Sequence, residues 1–169
     1  RKYEARHGRN LFEAIHKREL EDKTRMVYRN TGFSLFVPFF AMWPYEMHVY
    51  GSKPIRGLAD LDKEGAVMLA DVIRVGTATY EKLLGSDYAY MMIFHQAPSK
   101  GAYPGYRLHV EFYSPQMGKG RTKYAAGIEW GAGTFTYDGV IEERAADLRE
   151  ASAEVIQGME HLGRSWPEV

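Results

Sequence analysis

The sequence predicts a mixed α+β domain built on an antiparallel sheet. Three observations carry that reading. Two long stretches place apolar residues at helical spacing, β-rich runs lie between them, and most links from one extended run to the next are short.

Along the chain, Asn10 followed by Glu13 has the form of a capping box, and Leu11, Phe12, Ile15 and Leu20 give a short amphipathic helix. Residues 25–29 and 33–39 are rich in β-formers, and the turn chemistry of Asn30-Thr31-Gly32 between them predicts a hairpin. A further extended run, 46–50, follows the Trp43-Pro44 break. Asp62 can cap a long helix whose Leu69, Ile73, Gly76, Tyr80 and Leu83 share one face as far as Gly85, a good residue to end it. Runs 88–95 and 107–113 are predicted strands flanking a Gly/Pro-rich loop, and 122–130 is another extended stretch ending at Gly131-Ala132-Gly133. The last helix carries Ile141, Ala145, Leu148, Ser152, Val155, Met159 and Leu162 on one stripe, with Glu142 and Glu143 in the first turn, where the helix dipole favours them. The expected order is helix, three strands, helix, three strands, helix, within one domain spanning residues 1–169 without repeat or linker.

Composition bounds the function. A chain of 169 residues, 45% apolar and 26% charged, can bury a core without disulfide or metal staples. Lys and Arg total 22 and Asp and Glu total 22, so no basic excess points to nucleic acid. No apolar run approaches a membrane span, and Arg1-Lys2-Tyr3-Glu4 is no signal peptide, so the expected location is cytoplasmic with no membrane partner. Without cysteine, thiolate chemistry and Cys-ligated zinc are excluded within this chain. Scarce Asn, Gln and Cys point toward a thermophilic source. A first residue of Arg rather than Met fits a piece of something longer.

Two constellations could carry chemistry. On the strand 107–113, alternation puts Arg107, His109, Glu111 and Tyr113 on one face and Leu108, Val110 and Phe112 on the core face. An antiparallel return through residues 96–106 sets His95 opposite Arg107 and diagonal to His109, about 7 Å away. Two imidazoles and a carboxylate so placed suit iron or zinc; equally, they suit hydrogen-bonded histidines with Glu111 paired to Arg107. In the run 123–129, alternation puts Lys123, Ala125, Gly127 and Glu129 on one face, fitting either sugar hydroxyls or a solvated ion pair. The aromatic run Phe33, Phe36, Phe39, Phe40, Trp43 and Tyr45 reads as core, and His7, His16, His48 and His161 stand isolated in ordinary surface or core roles. The chain has no His-x-His, no Gly-x-Ser-x-Gly, no Walker loop and no dinucleotide fingerprint, and it presents no nucleophile.

Four segments occur in order: Val37-Pro-Phe-Phe-Ala-Met-Trp-Pro-Tyr-Glu46, Phe94-His-Gln-Ala-Pro98, Leu108-His-Val-Glu-Phe-Tyr113 and Arg121-Thr-Lys-Tyr-Ala-Ala-Gly-Ile-Glu129. As an ordered set they resemble the C-terminal half of the galactose-1-phosphate uridylyltransferase family, over nearly the whole chain from about Asn10. The resemblance implies a histidine-triad-like antiparallel sheet flanked by helices. It also implies a nucleotidyltransferase that moves UMP between UDP-glucose and galactose 1-phosphate. The nucleophilic histidine belongs to a His-Pro-His motif of the N-terminal half, which is absent here, so the isolated chain is expected to be inactive. His95 and His109 fall on two ligands of the family's iron or zinc site, and Glu111 replaces the second histidine of its His-x-His. Lys123, Tyr124, Ala126, Gly127, Ile128 and Glu129 fall on the segment that reaches hexose and phosphate in the neighbouring subunit of a homodimer, with Ile128 where an aromatic is common. A stand-alone histidine-triad nucleotide hydrolase or phosphorylase and a non-catalytic metal-binding or dimerisation module are the alternatives.

Overall fold

A computed structural model describes residues 2–86 and 88–161. Its centre is a five-stranded antiparallel sheet of β1 (Met26–Arg29), β2 (Phe33–Phe36), β3 (Met47–Gly51), β4 (Met91–His95) and β5 (His109–Tyr113), in the spatial order β1-β2-β3-β5-β4. The expected hairpin joins β1 to β2. Asn30 Oδ1 accepts the N–H groups of Gly32 and Phe33, at 3.0 and 2.8 Å, which closes the turn.

Alternation gives the sheet two different faces. Leu35, Met47, Val49, Val110 and Phe112 are at most 1% exposed and form the core face. Against it pack α3 (Lys63–Leu84) and α5 (Ile141–His161), which also pack on each other. Asp62 caps α3 as expected, accepting the Gly65 N–H at 2.7 Å. Tyr80 is fully buried and donates its hydroxyl to the Tyr45 carbonyl. The α5 stripe is also as expected through Ala145, Leu148 and Ser152, while Leu162 lies outside the described residues.

Three elements differ from expectation. Of the expected α3 face, Leu69, Gly76 and Tyr80 are buried, but Ile73 and Leu83 are only half-buried, and the buried stripe also takes in Met68, Val72, Val75 and Thr79. Two helices covering this face need a wider stripe than the single i, i+4 row that the sequence suggested. Of the aromatic run, Phe33, Phe36 and Tyr45 are core, but Phe39 and Phe40 are exposed. The stretch 122–130 is not a long strand. Only Arg121–Thr122 (β7) pairs, with Gln116–Gly118 (β6), and the chain then turns into α4 (Gly127–Ala132). Gly133, with a left-handed φ of 64°, ends that helix.

The other face of the sheet is covered by α2 (Leu11–Asp22), which follows α1 (Lys2–His7), a helix that the sequence did not signal. Asn10 caps α2 through bonds from the Phe12 and Glu13 N–H groups. Glu19, inside α2, is completely buried. Arg25 grips it with two guanidinium nitrogens, Nε to Oε2 at 3.1 Å and Nη2 to Oε1 at 3.0 Å, and reaches Glu142 of α5 at 2.9 Å. One guanidinium therefore ties α2 to α5 across the β1 end of the sheet.

Arg25→Ala strands the Glu19 carboxylate without a partner, and should cost about 3–5 kcal/mol in chemical denaturation. A loss under about 1 kcal/mol would mean that Glu19 finds water instead. Val72→Asp, in the centre of the α3 stripe, should abolish the cooperative thermal transition, whereas Ile73→Asp should lower it and leave it cooperative. Equal effects of the two would contradict the observed difference in their burial.

Candidate metal centre

On β5 the residues in phase with His109 point away from the core, toward α2. Phe12 of α2 lies 4.9 Å from the His109 ring, centre to centre, and leaves it 7% exposed. His95 ends β4 directly opposite His109, two residues in register from the expected placement opposite Arg107. The register is set by Phe94 and Met92 facing Val110 and Phe112, so the two rings stack at 4.7 Å and 10°. Arg107, which the sequence pairs with Glu111, instead bonds Glu13 of α2.

Glu111 is held between three imidazoles. His95 Nε2 lies 3.1 Å from Oε2, His109 Nε2 lies 3.3 Å from Oε1, and His48 Nδ1 lies 3.8 Å from Oε1. Tyr113 donates its hydroxyl to Oε2. Burial alone would raise this carboxyl, but the His109 and Tyr113 hydrogen bonds and the neighbouring His48 and His95 hold it down at about 2. Glu111 therefore stays ionised.

Whether a divalent ion fits is decided by which ring nitrogens face the carboxylate. His109 Nδ1 lies 2.8 Å from the Arg107 carbonyl, which can only accept, so Nδ1 donates there and Nε2 is the ring nitrogen that faces Glu111. His95 Nε2 is buried and, among the described residues, has no hydrogen-bond partner although it faces the same carboxylate. One ligand atom from each of His95, His109 and Glu111 lies within 4.8 Å of the other two. This donor set fits an ion such as iron or zinc.

His48 was read in the sequence as isolated. Its β3 position places it directly across from Glu111, and it is 2% exposed. The signal was there in the pattern Glu46-x-His48-x-Tyr50, which sets three polar-headed residues in phase on a strand whose other face is Met47 and Val49. His16 fits its ordinary role: it hydrogen-bonds Ser34 at 3.0 Å, and burial, then Arg29, pushes its pKa down.

The second predicted constellation comes together differently. Lys123 and Glu129 approach to 3.9 Å, but across a loop and a helix start rather than along one strand. Both are buried. Lys123 Nζ bonds the Thr136 carbonyl and lies 3.0 Å from the Asp138 carboxylate. Glu129 accepts the Thr136 hydroxyl at 2.6 Å, the Thr136 N–H at 3.2 Å and the Ala126 N–H at 2.8 Å. These charged heads frame a projection on which Tyr124, Ala126, Gly127, Ile128 and Trp130 are exposed, Tyr124 at 85% and Trp130 at 79%.

The Thr136 hydroxyl, then the Thr136 and Ala126 backbone, hold Glu129 at about 2 against an ordinary 4.5. A carboxylate lowered in this way stabilises the fold above its unfolded value and loses that contribution as pH falls toward 2. Amide exchange at Ala126 and Thr136 should therefore stay protected at neutral pH and accelerate between about pH 4.5 and 2, in step with the Glu129 carboxyl NMR shift. A Glu129 midpoint at or above 4.5 would contradict the observed bonds.

Comparison with known proteins converges on one family. Residues 1–157 match the family model described as galactose-1-phosphate uridyl transferase, C-terminal domain. A galactose-1-phosphate uridylyltransferase of Thermotoga maritima is 37% identical over 139 residues, which is 81% of this chain and 44% of the relative. That of Kluyveromyces lactis is 32% identical over 158 residues, 91% of this chain and 42% of the relative. A solved uridylyltransferase mutant superposes with a TM-score of 0.84 at 33% identity, covering 91% of this chain and 50% of its own. A zinc-bound histidine triad family protein from Mycobacterium smegmatis shares the fold, with a TM-score of 0.54 at 14% identity over 79% of this chain and 86% of its own. The chain thus spans less than half the length of these two curated relatives. A match over 157 residues, on a fold shared with a solved uridylyltransferase, places the chain in the galactose-1-phosphate uridyl transferase C-terminal domain family.

Proposed function

We propose that this chain acts as one domain, the C-terminal part of a nucleotidyltransferase that exchanges UMP between UDP-glucose and galactose 1-phosphate. The observation that carries the reading is the family match across residues 1–157 in a chain that spans under half of its relatives. In this reading a histidine of the N-terminal half attacks the α-phosphorus of UDP-glucose and releases glucose 1-phosphate. The UMP on that histidine then passes to the phosphate of galactose 1-phosphate, giving UDP-galactose and the free histidine. No His-Pro-His segment occurs in these 169 residues.

The contribution of this chain is then placement. His95, His109 and Glu111 hold iron or zinc, which would neutralise Glu111 and pin β4 to β5. Tyr124, Ala126, Gly127 and Ile128 offer the exposed edge that meets hexose and phosphate in the neighbouring subunit of a homodimer. Lys123 and Glu129, turned inward here, set the shape of that edge, and each reaches substrate only by exchanging an internal bond for it. No described helix is long and apolar enough to cross a membrane, which agrees with a cytoplasmic enzyme.

Purified alone, the chain should give no turnover of UDP-glucose, and uridylyl transfer should appear when it is co-folded with an N-terminal half carrying His-Pro-His. Turnover by the chain alone would overturn the reading. Elemental analysis should find iron or zinc in the wild-type chain and little in the His95→Ala, His109→Ala double variant. Equal content in the two would make these histidines structural.

A further inference from the structure

Residues 37–46 link β2 to β3 without helix or strand, so their buried backbone groups need partners outside a ladder. Side chains supply several of them. Glu46, 1% exposed, turns back into the link, and its Oε2 accepts the N–H groups of Met42 at 2.8 Å and Trp43 at 3.1 Å. Its Oε1 lies 2.9 Å from His48 Nε2. The carbonyls of the same turn accept from three other places in the chain. Met42 accepts from Lys123 Nζ at 3.4 Å, Pro44 from the Tyr137 hydroxyl at 2.6 Å and Tyr45 from the Tyr80 hydroxyl. The Trp43 ring lies 6.1 Å from that of Phe135, centre to centre.

Three of these contacts fall at the two ends of one segment. Lys123 stands where the chain leaves β7, and Phe135 and Tyr137 stand where it returns after α4. Between them rises the projection that exposes Tyr124, Ala126, Gly127 and Ile128. The projection is closed on itself by the bonds of Lys123 and Glu129 to Thr136. A closed unit anchored at both ends to residues 42–44 takes its direction from that turn. Glu46 in turn holds the turn: an apolar side chain at this position would leave the Met42 and Trp43 N–H groups to find other acceptors, and the backbone would shift to reach them.

We propose that Glu46 is a positioning residue for the substrate-facing projection, acting through the turn at residues 42–44, with the Tyr137 hydroxyl as the bolt between turn and projection. The inference deepens the proposed function and rests on its reading that Tyr124, Ala126, Gly127 and Ile128 meet hexose and phosphate in a neighbouring subunit. Glu46 itself is buried and reaches no substrate.

The test uses the assembled enzyme, this chain with its N-terminal half, and reads kcat/KM for galactose 1-phosphate. Glu46→Ala should lower it about 10–100-fold, since displacing a binding group by about 1 Å costs up to that much. Glu46→Gln, which keeps an oxygen for the two N–H groups, should restore most of the loss. Tyr137→Phe, which removes one hydroxyl and leaves Glu46 and His48 in place, should lower kcat/KM in the same direction, and it carries the test where Glu46→Ala does not fold. In an enzyme already carrying Tyr124→Ala and Ile128→Ala, either change should cost much less than it does alone, because the contacts it misplaces are gone. The same fold-loss in both backgrounds would overturn the positioning role and leave the projection's substrate contacts standing. So would wild-type kcat/KM in Glu46→Ala and Tyr137→Phe beside an impaired Tyr124→Ala, Ile128→Ala enzyme. Wild-type kcat/KM in the Tyr124→Ala, Ile128→Ala enzyme would overturn the substrate reading of the projection, and this inference with it.

Discussion

The register of β5 against its neighbours is the constraint on which the rest of the molecule depends. With Val110 and Phe112 in the core, His109, Glu111 and Tyr113 must point the other way, and pairing with β4 and β3 brings His95 and His48 to the same side. A slip of one residue would bury Glu111 among Leu35, Met47 and Tyr80 and expose Phe112. Packing on the α3 and α5 side thus fixes which residues stand on the opposite side, where His48 and His109 lie among the rings of Phe12, Phe36 and Tyr50. The second face pays for its polarity with hydrogen bonds rather than area.

Buried carboxylates recur, and each is stabilised differently. Glu19 is neutralised by a bidentate guanidinium, and burial still raises its carboxyl despite Arg25. Glu46 is satisfied by two backbone N–H groups and an imidazole. Glu129 caps the start of α4 and accepts from Thr136. Glu111 differs from these three in having three imidazole rings around it, beside the Tyr113 hydroxyl that it accepts.

How much of this was legible depends on the range of the interaction that decides it. Helices α3 and α5 and the Asn30 turn follow from local spacing and capping, and they came out where the sequence put them. The β5 alternation was equally local. The His95 register was two residues off because the pairing of Phe94 with Val110 and Met92 with Phe112 decides it, and the stretch 96–106 between the strands carries no periodic signal. His48 was missed because only the non-local β3–β5 pairing gives it company. Residues 123–129 were read as a strand because small residues between charges tolerate extended backbone. The bonds from Glu129 to Ala126 and Thr136, which select the helix start, are invisible in a linear pattern. Glu19 resembles any surface glutamate of a charged helix until Arg25 and Glu142 close over it.

The central claim is that the polar face of the sheet is a metal-binding surface whose donors are oriented before an ion arrives. Anomalous diffraction from crystals of the zinc-loaded chain tests it most directly. The account predicts one strong peak beside Glu111, within about 2.0–2.1 Å of Nε2 of His109 and of His95, and with the His109 Nδ1–Arg107 bond unchanged. A peak elsewhere, or none at Glu111 with zinc in excess, would contradict it.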